Sequence, residues 1–260
     1  MSATPFSRQP YRLDRSLLPP LGMLLLLIAT AAFLGFFSDV DLHVSRLFYD
    51  ATSGHFPLAD HWLLEGVLHK RGKLIGRTLA VCVVLALLLS PFFERLRRWQ
   101  RELLYLVPAM ASGALLVVKL KHTSNVFCPS QLQLFGGTHP LLMPFMGEVG
   151  AKPGVCWPGG HSSHGFAMLP IYFALRERLP QLAGWALLFI VLWGNLLGFI
   201  RVIQGAHFLS HQIWSWAICW AAALAWLPLL HWQWSLSIRQ LLRFSAARPA
   251  PPTGPVPTKP

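Results

Sequence analysis

Long apolar runs constrain this chain more than any other feature. Six can be marked, over residues 17–37, 74–92, 103–120, 165–175, 182–200 and 213–230. Most approach the ~20 residues that a helix needs to cross a ~30 Å hydrocarbon core. The composition agrees: 54% of residues are hydrophobic and 12% are charged, where a soluble domain has about a quarter charged. The expected fold class is all-α, a polytopic membrane helix bundle of about six transmembrane helices. The fourth run is short, and its helix is expected to start earlier, at His161-Ser-Ser-His164.

A formal net charge of +12 could point to nucleic acid, but its distribution points to topology. With the N-terminus inside, thirteen Lys and Arg fall on the cytoplasmic side and nine on the other. Such a bias places both termini in the cytoplasm, so no nucleic-acid partner is expected. Residues 1–16 read as a basic cytoplasmic tail, 17–243 as one membrane-embedded domain, and 244–260 as a disordered cytoplasmic tail. Ala29-Thr-Ala31 resembles a cleavage site, yet apolar residues continue through Phe37. That run is too long for a typical signal peptide, so an uncleaved anchoring helix is expected. Trp62, Leu63, Leu64, Val67 and Leu68 recur at helical spacing, which predicts an amphipathic helix on the membrane surface.

Cys82 and Cys219 lie in apolar runs and read as small core residues. Cys128 and Cys156 share the long connection 122–160. Two thiols there can pair if the loop faces an oxidising compartment. A connection of that length signals function or disorder, and its many Gly and Pro residues suit tight turns.

Polar groups beside hydrocarbon are costly and by default functional. Lys121, Pro158-Gly159-Gly160-His161 and Arg201-Val-Ile-Gln-Gly-Ala-His207 all emerge on one side if the helices alternate. Each alone has a plainer reading: a snorkelling Lys121 or Arg201, a His161 that only caps a helix. Together they compose an anion site. A helix start and the cations hold phosphate, one imidazole can be a nucleophile, and the other a general acid. His207 and His211, four apart, and His161 and His164, three apart, could instead bind a metal. No carboxylate lies within either pair, and the neighbouring charges are cationic, which favours phosphate.

These segments resemble the signature of the type-2 phosphatidic acid phosphatase superfamily, K-x6-R-P, P-S-G-H and S-R-x5-H-x3-D. Here they read Lys121-x6-Cys128-Pro129, Pro158-Gly-Gly-His161 and Ile200-Arg201-x5-His207-x3-His211. The resemblance implies metal-independent dephosphorylation without a cofactor. His207 would form a phosphohistidine and His161 would protonate the leaving group. Lys121, Arg201 and the backbone of Gly159 and Gly160 would hold the phosphoryl oxygens. Three positions depart from the pattern. Arg becomes Cys128, whose place could be structural through a disulfide to Cys156. Ser becomes Gly159. The Asp that would orient the nucleophile becomes His211, so either His211 or a carboxylate from elsewhere, Glu148 or Glu65, is expected to support His207.

The expected substrate is a membrane lipid: a phospholipid, an isoprenoid diphosphate or a lipid A phosphate. The expected setting is a bacterial inner membrane, with the site facing the periplasm. A lipid phosphotransferase and a non-catalytic phospholipid-binding protein remain as alternatives.

Overall fold

The computed structural model describes residues 17–146 and 153–231. Helix α1 is Leu18–Ala32, with proline in its first turn, where a missing N–H breaks no helical bond. A π-helical turn, Phe33–Phe37, extends it, and α2 follows at Val40–Arg46. Next come a π-helical stretch, Leu63–His69, and α3, Lys70–Leu89. The remaining helices are α4 (Glu94–Arg97), α5 (Gln100–Thr123), α6 (Gly160–Phe166), α7 (Pro170–Leu175), α8 (Pro180–Ile203), α9 (Leu209–Ala225) and α10 (Leu227–His231). Among the described residues there is no β-strand, only isolated bridges.

Among the described residues, five rods are long and apolar enough to cross a membrane: Leu18–Phe37, Leu63–Leu89, Gln100–Thr123, Pro180–Ile203 and Leu209–Leu230. The protein is therefore an all-α membrane bundle, with two corrections to the sequence reading. The run 165–175 is not a sixth continuous rod. Pro170 opens α7, and its missing N–H and its ring interrupt the helix begun at Gly160. The stretch after Trp62 is not a separate surface helix either; it runs directly into α3 as one rod of 27 residues. The expected domain boundaries at 16/17 and 243/244 fall at or outside the limits of the described residues, as does Glu148.

Helix α9 sits centrally, packing on α1, α5 and α6. Buried polar tips tie it in place: the Tyr105 hydroxyl donates to the Ala223 carbonyl at 3.0 Å, and the Trp220 indole donates to the Pro20 carbonyl at 2.8 Å. Helices α6 and α8 cross where Gly165 faces Gly194, with no room for a Cβ on either. Small residues at such crossings let backbones approach where lipid gives no hydrophobic drive. Cys219 is buried, as a core residue should be, whereas Cys82 is exposed on the lipid-facing side of α3.

The two ends of α5 set a scale. Glu102, in its first turn, is buried and pairs with Arg178 at 3.0 Å and Arg101 at 3.6 Å. Lys121 lies in the last turn, 19 residues on and therefore ~28 Å away. That spans most of a hydrocarbon core. The ion-paired cluster and the candidate site thus occupy opposite ends of the bundle.

Candidate active site

The site is built where four helices begin or end. Lys121 is inside the last turn of α5 and Arg201 inside the last turn of α8, both further into their helices than the apolar runs suggested. His161 is the second residue of α6. His207 precedes α9, whereas His211 is within it, so the two do not share one helical face. They stand edge to face, with ring centroids 5.7 Å apart.

A local device fixes the five-residue spacing between Arg201 and His207. Gly205 adopts φ +66°, just past the end of α8. The Gly205 amide donates to the Val202 carbonyl at 3.0 Å and the Ala206 amide to the Arg201 carbonyl at 2.8 Å. This pairing is the Schellman ending, which wants glycine at the left-handed position. It reverses the chain, and His207 follows with its own amide on the Arg201 carbonyl at 3.2 Å. The ring of Phe56, itself buried, closes over Gly205.

His207 is buried, and burial pushes its imidazole well below its ordinary pKa. His211, Lys121, Arg201 and His161 add to that push in the same direction. The ring nitrogen Nδ1 of His207 lies 3.4 Å from Sγ of Cys156. Cys156 is joined to Cys128 in a disulfide. Beside it the two ends of the long connection come together, with the Cys156 amide on the Val126 carbonyl at 2.8 Å and the Ser124 hydroxyl on the Trp157 carbonyl at 2.8 Å.

The glycines at the start of α6 have separate tasks. The Gly159 amide donates to the His211 carbonyl at 2.9 Å, and the Ser215 hydroxyl donates to the Gly159 carbonyl at 2.8 Å. Gly159 therefore joins the His161 segment to α9. At Gly160 an added Cβ would stand 3.5 Å from Nζ of Lys121, an ordinary contact distance, so the ammonium group lies against the backbone at the start of α6.

Carboxylates enter from the first half of the chain. Glu65 pairs with Arg201 at 3.2 Å. Gln204, between Arg201 and His207, accepts from Arg201 at 2.7 Å and donates to the Ala59 carbonyl at 2.8 Å. Glu65 thus holds the cation, and among the described residues the Nδ1 of His211 has no hydrogen-bond partner. Asp41 is a residue that sequence reasoning missed. It is buried and accepts from the Ser210 amide at 2.9 Å and the Ser210 hydroxyl at 2.5 Å. Burial raises its carboxyl pKa, opposed by those bonds. It caps the start of α9, satisfying a donor that the helix itself cannot. Asp41, Ser210 and His211 face a cavity of about 310 Å³ with Phe36, Trp157 and Trp214 on its walls.

Helices of membrane-crossing length, with the candidate residues together at one end of the bundle, define a membrane protein. The chain belongs to the PAP2 superfamily, whose family model matches residues 102–235, just over half its length. It is in general terms a membrane phosphatase of that superfamily. No curated protein and no solved structure matches it. The matched region carries Lys121, His161, Arg201 and His207; Asp41 and Glu65 lie before it.

Proposed function

We propose that the protein hydrolyses the phosphate ester or diphosphate of a membrane lipid through a phosphohistidine at His207, without metal or cofactor. The observation that carries this reading is that Lys121, Arg201, His161 and a buried His207 stand at the meeting of four helix ends, with Nζ of Lys121 against Gly160 and the His207 amide on the Arg201 carbonyl. With Nδ1 turned to the disulfide sulfur, Nε2 of His207 is the nitrogen available for phosphorus. Its attack forms an N–P bond and breaks the P–O bond to the leaving alcohol, to which His161 gives a proton. His161 then takes a proton from water as water releases phosphate and restores His207. Lys121 and Arg201 balance the charge that spreads over the phosphoryl oxygens, the usual source of rate in phosphoryl transfer.

A lipid substrate is supported by an apolar groove of about 300 Å³ between α3, α5 and α6. It runs along α5 from Val107 to Val118 and ends at Ser163 and His164, one turn from His161. Eleven residues of helix are ~16 Å long, enough to take part of an acyl or prenyl tail while the head reaches the site. The positive-side bias of the sequence favours a site on the non-cytoplasmic face of a bacterial inner membrane.

The test is phosphate release from a panel of phospholipids, isoprenoid diphosphates and lipid A, using detergent-solubilised protein with EDTA present. Release from at least one lipid, abolished in His207→Ala, is the expected result. Undiminished release in His207→Ala would overturn the mechanism. Transfer of phosphate to an added lipid alcohol in place of water would favour the phosphotransferase. Binding without turnover would favour the non-catalytic alternative.

A further inference from the structure

The disulfide and the two histidines beside it have the makings of a second site. Ligand atoms of Cys156, His207 and His211 all lie within 4.8 Å of one another, and all three residues are buried. Cys128, bonded to Cys156, brings a second sulfur to the edge of this group. His211 brings a buried imidazole whose Nδ1 has no hydrogen-bond partner among the described residues. While the disulfide is intact this cluster offers two neutral imidazoles and a spent pair of sulfurs among cations, a poor place for a metal ion. Reduction changes that balance, because it releases two thiols whose ionised forms bring two negative charges. Two thiolates and two imidazoles form a complete tetrahedral zinc set.

We propose that reduction of Cys128–Cys156 converts the active site into a Cys128–Cys156–His207–His211 zinc site, and that zinc bound there silences the enzyme. The reductant is a dithiol or a phosphine. A phosphine and one water give two thiols and a phosphine oxide. Zinc then displaces the two thiol protons, which pass to solvent. The contact between Cys156 Sγ and His207 Nδ1, 3.4 Å in the oxidised protein, is where the ion enters. It takes Nδ1, the ring proton moves to Nε2, and the lone pair that would attack phosphorus is lost. Only the inhibitory consequence rests on His207 being the nucleophile; the binding rests on the cluster itself.

Full-length protein in detergent is reduced with a trialkylphosphine, desalted without oxygen and given zinc, beside an oxidised control. Elemental analysis should find about one tightly held zinc per chain in the reduced protein, as for a four-ligand structural site, and none above background in the oxidised one. Cobalt in place of zinc should show a near-ultraviolet thiolate-to-cobalt band in the reduced protein only. The reduced Cys156→Ser and His211→Ala variants should both lose the metal. Equal binding in both redox states, no binding in the reduced state, or binding that survives Cys156→Ser overturns the proposal. Phosphate release is measured on the same samples and should fall with zinc and return with EDTA. Zinc bound as described, without phosphate release in any state, would leave this site standing and remove the proposed function instead.

Discussion

Nδ1 of His207 lies 3.4 Å from Sγ of Cys156, so the supporting neighbour of this imidazole is a disulfide. The family signature has an arginine at Cys128 and an aspartate at His211. In this chain the first change supplies half of the disulfide, and the second leaves no carboxylate at that position. One substitution therefore bears on the other through a single ring.

Removing that support should cost stability and rate together. The disulfide closes a separation of 28 residues, worth about 3–4 kcal/mol in the chain-entropy description. The Cys128→Ser, Cys156→Ser double variant is expected to melt well below the parent in detergent. Its kcat should fall more than its KM rises, because the nucleophile is displaced while Lys121 and Arg201 remain. An unchanged kcat would show that the sulfur has no part in positioning His207.

Gly205→Ala tests the turn before His207. The left-handed position costs an alanine about 1–2 kcal/mol, and its Cβ would collide with the Phe56 ring. The variant should lose at least that much stability. It should also lose activity more steeply than a mutation of equal cost in α1. Thermal melts and initial rates on the two variants make the comparison.

Asp41 can be tested by keeping or removing its acceptor. Asp41→Ala leaves the Ser210 amide without its cap and should cost about 1–2 kcal/mol. Asp41→Asn retains one oxygen for that amide, so it should recover most of the loss in both stability and rate. Equal damage from Asn and Ala would mean that the negative charge matters rather than the hydrogen bond.

The depressed His207 pKa fixes the sign of a pH effect. The unfolded chain takes up a proton near the ordinary value of 6.5, while the folded site resists it to lower pH. Between those two values the unfolded state binds more protons, so stability falls as pH drops through the window and is complete above 6.5. His207→Gln should flatten that slope in melts recorded across acid pH. The same depression keeps His207 unprotonated for attack at neutral pH. His211→Asp would place a carboxylate beside the ring, favour the imidazolium and move the acidic limb of the rate profile upward. An unmoved limb would show that the residue at 211 does not act on His207.

Much of this was legible in the sequence because it is written at short range. Apolar runs of bilayer length, and fixed spacings such as Arg201-x5-His207, depend on local geometry that a one-dimensional pattern retains. The helix ends did not follow from hydropathy, because Lys121 and Arg201 are polar residues that belong to helical last turns. The break at Pro170 was visible as a residue, but its effect on a short run was not. The carboxylates were hardest. Asp41 meets Ser210 across 169 positions and Glu65 meets Arg201 across 136; no periodicity links residues so far apart. Glu65 was named as a candidate, but its ion pair with Arg201 was not foreseen.

The Asp41–Ser210 and Glu65–Arg201 contacts also say how the chain can be divided. Both acids come from before residue 100, and both of their partners come from after it. A cut in the turn ahead of Gln100 would part the acids from their partners. The later fragment would hold every signature residue, but with Arg201 parted from Glu65 and Ser210 from Asp41, and only reassociation with the earlier fragment would restore those two contacts. The first hundred residues are therefore a working half of the site, and not a detachable anchor for it.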